Sequence, residues 1–543
     1  MPEFTMVYAD EPVGSREHTT ATMPGLQAWA KAPDIVRTNN KAPQHATLED
    51  DYWVLGEDFR FFPSDPSKAS WGLFSAAMSG PDGSFQEPLV LTLTLTGGLY
   101  SAIGLTLQFD PYGPTWCSDL QVQWYRQGQL IQTRDYQPDK WQYTCLGEAK
   151  NFDKIVVTFR AMSAPYRYLK MQAMTYGITR VFDSTELFGV DLCQSTDLLS
   201  DTVAVGTMDF TLRNKTDVGF MFQRKQQLRC TFGSELIGTY YITGHEKTGK
   251  NQYDIHTVDL VGLLEKAGEF AGNLYNGVRA DVVAGEIFGS AIPWRMDEAL
   301  KSQLIYGYLP AANRRDCLQQ LAFRLSAMVV TAGREWVEIT RLPQTVTSHI
   351  DALRGYESDA IETDALVTAV SVTAYSYTRA SELTVLYESP LNGEERVKFS
   401  SPATGLQISG GTLATSAATY AVIRGTGGTV TLKGYTYTES KRIHTRENPL
   451  KGANDAEHPV DYTGMTLVSP KDVAGVLDAC YNLALRSDVI KTRLLADGEK
   501  PGDRVEVTTD HDGVRSGHIL QLDYIVSGKL AADAVILVEG SGS

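Results

Sequence analysis

The sequence predicts a mainly β protein with α+β parts. Many short runs rich in Val, Thr, Tyr and Leu alternate apolar and polar residues and stop at turn residues, which is typical of strands. Few segments repeat apolar residues with the period of an amphipathic helix. The 543 residues suggest about three to five domains. We expect an N-terminal β-sandwich, two barrel-like β units with an α/β insert between them, and a small C-terminal α+β domain.

The N-terminal part is predicted to contain an arm and a sandwich. Residues 1–50 mix Pro, Asn, Thr and charge without a sustained period, so we expect an extended arm. Strand signals fill residues 51–185; Leu120, Val122 and Trp124, for example, alternate with polar residues before a turn. Several short strands with regular turn signals and almost no helix indicate a β-sandwich.

The middle of the chain changes from strands to helices. Residues 186–270 contain alternating runs such as Met208–Leu212 and are interpreted as the first part of a barrel. Residues 271–350 are interpreted as an inserted α/β unit with two helices. Ala280–Phe288 is short and apolar on one side, and Arg315–Met328 places its leucines on one face.

The last third returns to strands. Residues 351–442 are interpreted as the second part of the barrel region, with strands at Leu366–Tyr377, Glu382–Tyr387 and Arg396–Ser400. Residues 443–470 are polar and contain three prolines, so we expect a linker. Residues 471–543 are expected to form an α+β domain. Its helix is predicted over Lys471–Ala484, and its strands over Arg504–Thr508, His518–Tyr524 and Val535–Val538.

Charge and apolar content exclude several classes. A net charge of −16 argues against sequence-wide affinity for nucleic acid, since phosphate contacts need clustered Lys and Arg, and we expect no sequence-specific nucleic-acid binding. We find no apolar core typical of a signal peptide and no apolar run of membrane-spanning length. We therefore expect synthesis in a cytoplasm, with any role outside the cell reached by lysis or within an assembly.

The cysteines favour neither a zinc site nor a dense disulfide framework. The six are widely scattered and include no close pair. A disulfide between Cys117 and Cys145 is conceivable within one domain. Reduced, partly buried thiols are the more usual outcome in so long a chain.

Two loops resemble ligand sites but are better interpreted as turns. Gly244–Asn251 fits most of a phosphate-binding loop, yet it ends in Asn251 where a hydroxyl residue would hold magnesium, and strand-like runs flank it instead of a strand and a helix. Asp510-His511-Asp512-Gly513 offers metal ligands, but its Asp-Gly pair is a strong turn signal. We expect hairpin turns at both places, and we assign no metal and no cofactor.

No catalytic residues are assigned. Glu49-Asp50-Asp51 and Glu357-Ser358-Asp359 contain carboxylates, but glycoside cleavage needs two at a defined separation across a cleft. Acid clusters at domain edges are usually surface charge. No convincing nucleophile elbow or zinc-binding histidine pair is present. The sequence therefore predicts a protein that is not an enzyme.

The expected sandwich is rich in aromatic residues. Sugars stack on exposed aromatic faces, whereas aromatics also fill sandwich cores. Both interpretations stay open here. The candidate glycan-binding residues are Trp53, Trp71, Trp116, Trp124 and Trp141.

Three sets of segments, in this order along the chain, resemble baseplate-hub or tail-tip proteins of tailed bacteriophages, prophages and contractile injection systems. The first resembles an N-terminal sandwich of galactose-binding-like fold and includes His45–Leu55, Pro165–Lys170 and Thr175-Tyr176-Gly177. The second resembles the hub barrel with its insert and includes Gly238–Ile242, Asp259–Glu265, Gly307–Pro310 and Arg314–Ala322. The third resembles the closing domain and includes Lys500–Val507 and Gly517–Ile519.

The resemblance implies a structural role in a virion. Family members form a homotrimer at the distal end of the tail, where they join the tube to the tip and surround the passage. Neighbouring tail-tube, distal-tail and tip proteins would be partners, and a host-surface glycan is a further candidate partner. The alternative is a carbohydrate-binding or carbohydrate-active protein whose first sandwich holds the glycan.

Overall fold

The computed structural model describes residues 3–9, 15–36, 47, 49, 72–111, 115–177, 179–200, 202–213, 225–289, 292–351, 353–355, 359–363, 365–452, 456–486, 488–510, 513–526 and 530–538. Strands account for 59% of the structure and helices for 10%, which confirms the predicted mainly β class. The chain forms two compact units. The first holds the described residues of 5–183 and 220–229, and the second holds those of 1–4, 184–219 and 230–543.

The first unit contains a two-sheet sandwich. One sheet has the order β2-β4-β9-β6-β7 and the other the order β3-β10-β5-β8. Side chains such as Leu91, Leu105, Trp124 and Val157 form one buried core, as expected for sheets that alternate inward and outward residues. The strands are β1 (Phe4–Ala9), β2 (Thr19–Thr22), β3 (Leu73–Met78), β4 (Ser84–Leu95), β5 (Tyr100–Phe109), β6 (Cys117–Arg126), β7 (Gln129–Tyr136), β8 (Gln142–Phe152), β9 (Lys154–Met162), β10 (Tyr168–Tyr176) and β11 (Thr179–Phe182).

The prediction of an extended arm over residues 1–50 is wrong for much of its described part. Strand β2 pairs with β4 at the edge of the sandwich, with Thr19 opposite Leu95. A 3-10 helix at Ala32–Val36 places Ile35 in the sandwich core. A four-residue edge strand is too short to show alternation in the sequence, and its register is set by a partner far along the chain.

The second unit starts with strands and then alternates strands with short helices. Its first elements are β12 (Leu187–Ser195), β13 (Thr207–Arg213), β14 (Gln227–Phe232, divided between the units), β15 (Glu235–Gly249), β16 (Gln252–Val258), α1 (Leu260–Glu265), β17 (Glu269–Phe270), β18 (Leu274–Arg279), α2 (Ala280–Phe288), β19 (Trp294–Met296), α3 (Glu298–Lys301), β20 (Leu304–Tyr308), β21 (Ala312–Asn313), α4 (Arg314–Arg324), β22 (Ala327–Val330), β23 (Val337–Arg341) and β24 (Ser348–Ile350).

The remaining elements are long strands and one helix. They are β25 (Ala360–Thr363), β26 (Ala369–Arg379), β27 (Thr384–Lys398), β28 (Ala403–Ser409), β29 (Gly411–Ala417), β30 (Tyr420–Glu447), β31 (Pro459–Tyr462), α5 (Val473–Ala484), β32 (Asp488–Leu495), β33 (Arg504–Thr509), β34 (Gly513–Val526) and β35 (Leu530–Val538). Within the described residues, no helix has the length and apolar character needed to cross a membrane.

The C-terminal strands do not form a sheet of their own. In the second unit a sheet runs β15-β16-β13-β12-β34-β35-β32-β25, and β33 joins it through β34. Strand β12 pairs with β34, where Leu192 lies opposite Tyr524. The prediction of a separate α+β domain over 471–543 is therefore wrong, because its strands complete the sheet that begins in 186–270.

The inserted α/β unit has the predicted helices. Helix α2 has the predicted bounds, and α4 begins at Arg314, where the Asn313 side chain accepts a hydrogen bond from the backbone N–H of Asp316. Helix α4 ends earlier than predicted. Ser326 adopts a φ of 49°, and the chain continues as β22. The left-handed backbone of Ser326 ends the helix and lets the chain turn into the strand.

A six-stranded sheet follows the insert, with the order β27-β30-β26-β31 and with β28 and β29 paired to β30. The prediction of a linker over 443–470 is wrong. Strand β30 extends to Glu447, and β31 pairs parallel with β26. Met465 and Val468 then pack with α5 in one core. Pro459 is compatible with this arrangement because it stands at the first position of an edge strand.

Candidate functional site

The tryptophans of the sandwich have different surroundings. Trp124 is 1% exposed and lies in the core, so no ring face is available to a sugar. The prediction that Trp124 binds a glycan is therefore wrong. Trp116 packs partly buried against the same core, and its Nε1 donates a 2.9 Å hydrogen bond to the Pro138 carbonyl. Trp141 is 42% exposed. Trp53 and Trp71 lie outside the described residues.

Trp116 and Trp141 flank one loop of the sandwich. Phe109 N–H donates a 2.7 Å bond to the Trp141 carbonyl, which holds the end of that loop against β5. The Trp116 indole is bonded to Pro138 in the same loop. Trp141 thus has a fixed backbone and an exposed ring, which is the arrangement that a stacking residue requires.

The acidic segment near residue 50 supplies a buried charge. Glu49 was expected on the surface, but its side chain is 0% exposed and its Oε2 lies 2.5 Å from Lys170 Nζ. Asp110 Oδ2 lies 3.3 Å from the same nitrogen and is 1% exposed. Glu49 Oε1 also accepts a 3.0 Å bond from the Tyr168 N–H. Lys170 pairs with both buried carboxylates, so these groups are explained by structure rather than by catalysis.

The segment Gly244–Asn251 forms a hairpin. Strands β15 and β16 pair antiparallel, with His245 opposite Ile255 and Gly249 opposite Gln252. Asn251 has a φ of 60°, a left-handed conformation that Asn tolerates in tight turns. The segment after the turn is a strand, so the helix that a phosphate-binding loop needs is not there. The predicted turn is confirmed.

The segment around residue 510 also joins two paired strands. Thr509 lies opposite Gly513 across β33 and β34, as the turn interpretation requires. His511 and Asp512 lie outside the described residues, as do Glu357 and Ser358. Asp359 Oδ2 accepts a 3.3 Å bond from the Asp510 N–H. Within the part that the structure describes, no three His, Cys, Asp or Glu side chains group as metal ligands.

The six cysteines are free thiols in the structure, and all but Cys193 are buried. Cys117 and Cys145 share the sandwich core but are not bonded. Burial raises the pKa of Cys117 to about 12 and that of Cys480 to about 12. Protonated, enclosed thiols are poor nucleophiles and poor metal ligands.

Sequence reasoning missed a cavity in the second unit. It holds about 540 Å³ and is lined by residues of β18, β20, β26 and β30 and by the segment that precedes α5. Five tyrosines reach it from four strands. A signal was available, because Tyr375 and Tyr377 alternate on one strand and Tyr435 and Tyr437 on another. Their meeting depended on pairing that the sequence does not show.

No protein-family model matches the chain, and a search of curated proteins finds no match. Solved structures are similar in part. A tail protein from Neisseria meningitidis is 10% identical with a TM-score of 0.42, over 66% of this chain and 93% of that one. The 43 kDa tail protein of prophage MuSo2 from Shewanella oneidensis is 10% identical with a TM-score of 0.41, over 66% and 95%.

A prophage tail protein from Listeria monocytogenes is 8% identical with a TM-score of 0.38, over 67% of this chain and 92% of that one. The chain is thus similar in structure to proteins described as tail proteins.

Proposed function

We propose that the chain is a structural component of a phage or prophage tail tip or baseplate, and that it forms the hub joining tube to tip around the passage. The observation that carries this proposal is the order of the hub-like segments together with the sheet they build. The Gly238–Ile242 segment lies in β15 and the Gly517–Ile519 segment in β34. Both belong to one sheet, from which the α/β unit and the six-stranded sheet are inserted.

The proposal includes the absence of hydrolytic activity. The near phosphate loop is a hairpin, and the acid at position 49 is neutralised by Lys170. A catalytic carboxylate needs contact with substrate, and Glu49 is fully enclosed. These placements favour a scaffold whose polar groups serve the fold.

Assembly as a homotrimer is part of the same proposal. Ile443 is 66% exposed on the long strand β30, and Val514 is 63% exposed on β34. Apolar side chains on strand faces are suited to burial between copies in a closed ring. Each copy carries a net charge of −16, so copies repel one another and screening by salt should favour the ring.

The test is mass photometry with electron microscopy of the full chain, alone and co-expressed with tail-tube or distal-tail partners. We expect ring-like particles of three times the 59.7 kDa chain mass. Isolated protein that stays monomeric should shift to the ring when a partner acts as template. Particles that remain monomeric with every partner would count against the hub.

A second candidate function is glycan binding by the sandwich, favoured by the 42% exposure of Trp141. The full chain would be applied to a glycan array. Trp141→Ala should remove glycan binding. Trp294→Ala is not a suitable control, because the Trp294 ring is stacked on Phe288 and its removal would disturb that packing. Leu130→Ala, an exposed apolar change on β7, is the better control. Binding that survives Trp141→Ala would refute this candidate.

A further inference from the structure

The cavity of the second unit has walls of tyrosine. Tyr375 and Tyr377 project from β26, Tyr306 from β20, Tyr275 from β18 and Tyr437 from β30. Its volume of about 540 Å³ lies within the range of roughly 300–1,000 Å³ found for small-molecule sites. Aromatic faces suit the apolar C–H face of a sugar ring, and the phenol hydroxyls suit its hydroxyl groups.

The walls are held in place by contacts behind them. Tyr375 Oη accepts a 2.7 Å bond from the Gly464 N–H, and Tyr377 Oη donates a 3.3 Å bond to the Thr466 carbonyl. Gly307, with a φ of 101°, allows β20 to approach this segment, because a Cβ there would lie 2.2 Å from the Thr466 oxygen. The cavity is therefore formed before any ligand arrives, which lowers the ordering cost of binding.

Two cations line the same cavity. Lys471 Nζ lies 4.2 Å from the centroid of the Tyr306 ring, and Arg379 Cζ lies 3.7 Å from that of Tyr435. Both side chains are exposed. Among the described residues, neither forms an ion pair with a carboxylate. Both cations rest on aromatic faces, and both residues line the cavity.

The nearby carboxylates already have partners. Asp472 accepts a 2.8 Å bond from Arg324 and a 2.5 Å bond from Ser469. Glu439 lies 3.0 Å from Lys441. Glu286 accepts a 2.8 Å bond from the Tyr275 hydroxyl. None of these three carboxylates is paired with Lys471 or Arg379.

We propose that this cavity binds an anionic sugar, a pyranose ring that carries a carboxylate or a phosphate. The tyrosines hold the ring, while Lys471 and Arg379 bind the anionic group. Asn276 and Ser376 line the wall and supply further hydrogen bonds to ring hydroxyls. The site is separate from the sandwich tryptophans and is independent of the hub role.

The test is calorimetric titration of the full chain with glucose 6-phosphate and with glucuronate. Glucose tests the ring without charge, and inorganic phosphate tests charge without the ring. Two variants test the lining: Lys471→Met removes a charge, and Tyr306→Leu removes a ring face together with the aromatic support of Lys471. Lys433→Met is the matched control, because Lys433 is exposed on β30 and does not line the cavity.

We expect both anionic sugars to bind and glucose to bind at least about tenfold more weakly, since hydrogen bonds to charged groups are the stronger class. Each cavity variant should lose about tenfold or more in affinity for the anionic sugars. Lys433→Met should bind as the parent does. The proposal is overturned if neither anionic sugar binds, if phosphate alone binds as tightly, or if glucose does. Tighter binding of AMP would assign the cavity to nucleotides and would overturn it as well.

Discussion

The buried charges of the sandwich give a quantitative prediction for Lys170→Met. Lys170 Nζ is the cation for both Glu49 and Asp110, at 2.5 and 3.3 Å, and all three side chains are at most 1% exposed. Methionine matches the length of the lysine stem but removes the ammonium group that lies beside the two buried carboxylates. Removing one partner of a buried ion pair costs about 3–5 kcal/mol of unfolding free energy. We expect a loss in this range.

Urea unfolding followed by tryptophan fluorescence measures this loss. Six of the eight tryptophans precede residue 184, so the signal reports mainly on the first unit; they are Trp29, Trp53, Trp71, Trp116, Trp124 and Trp141. At a urea dependence of about 1–3 kcal/mol per molar, the midpoint should fall by about 1 M or more. Glu49→Gln added to Lys170→Met should recover part of the loss, because it removes one unpaired charge.

Lys150→Met is the matched control for Lys170→Met. Lys150 pairs with Glu148 at 3.0 Å, but the side chains are 66% and 55% exposed. A surface pair of this kind contributes about 1 kcal/mol or less. If Lys170→Met loses no more stability than Lys150→Met, the three charges are solvated in the folded protein and the argument from burial fails.

Three further predictions use other groups. Thiol titration of the native chain should be slow, since burial raises the pKa of thiols such as Cys117 and Cys480. After unfolding without reductant, all six thiols should react. A count of four reactive thiols would reveal a disulfide. Burial alone would raise the pKa of Glu499, but bonds from Ser348, the Asp497 N–H and Arg354 outweigh it and lower that pKa. Its stabilisation should therefore be lost as pH falls below the unfolded value of about 4.3, and Glu499→Gln should flatten the acid limb of an unfolding profile. Lys250→Ala in the hairpin turn should change stability by about 0.5 kcal/mol or less, and an ATP titration that changes with it would reveal a phosphate site.

Local patterns in the sequence predicted local elements well. Helix α2 has the predicted bounds because its apolar spacing and its ending at Gly289 are both encoded nearby. The hairpin at Gly244–Asn251 was predictable for the same reason. Strand pairing was not, because Leu192 lies opposite Tyr524 and nothing in either segment specifies the other. The C-terminal strands were therefore assigned to a domain of their own.

The candidate site residues also differ in whether their surroundings are set by the local sequence or by distant segments. Trp124 alternates with Leu120 and Val122, so its inward direction was encoded in the strand period, and its burial could have been predicted. Trp141 lies just before β8 and has no such period to fix its exposure. Glu49 has no local signal at all. Its burial depends on Lys170, which lies on β10, and on Asp110, which directly follows β5.

The tyrosine cavity shows why a segment predicted as a linker can carry function. The prolines and polar residues over 443–470 suggested a linker. Instead, β31 of this segment pairs with β26, and Met465 and Val468 pack with α5. Thr466 then positions β20, and Ser469 holds Asp472, which leaves Lys471 free to face the tyrosines. Each of these residues is ordinary in the sequence. The cavity arises only because four strands and one ordered connection converge, and such convergence is a property of the tertiary structure.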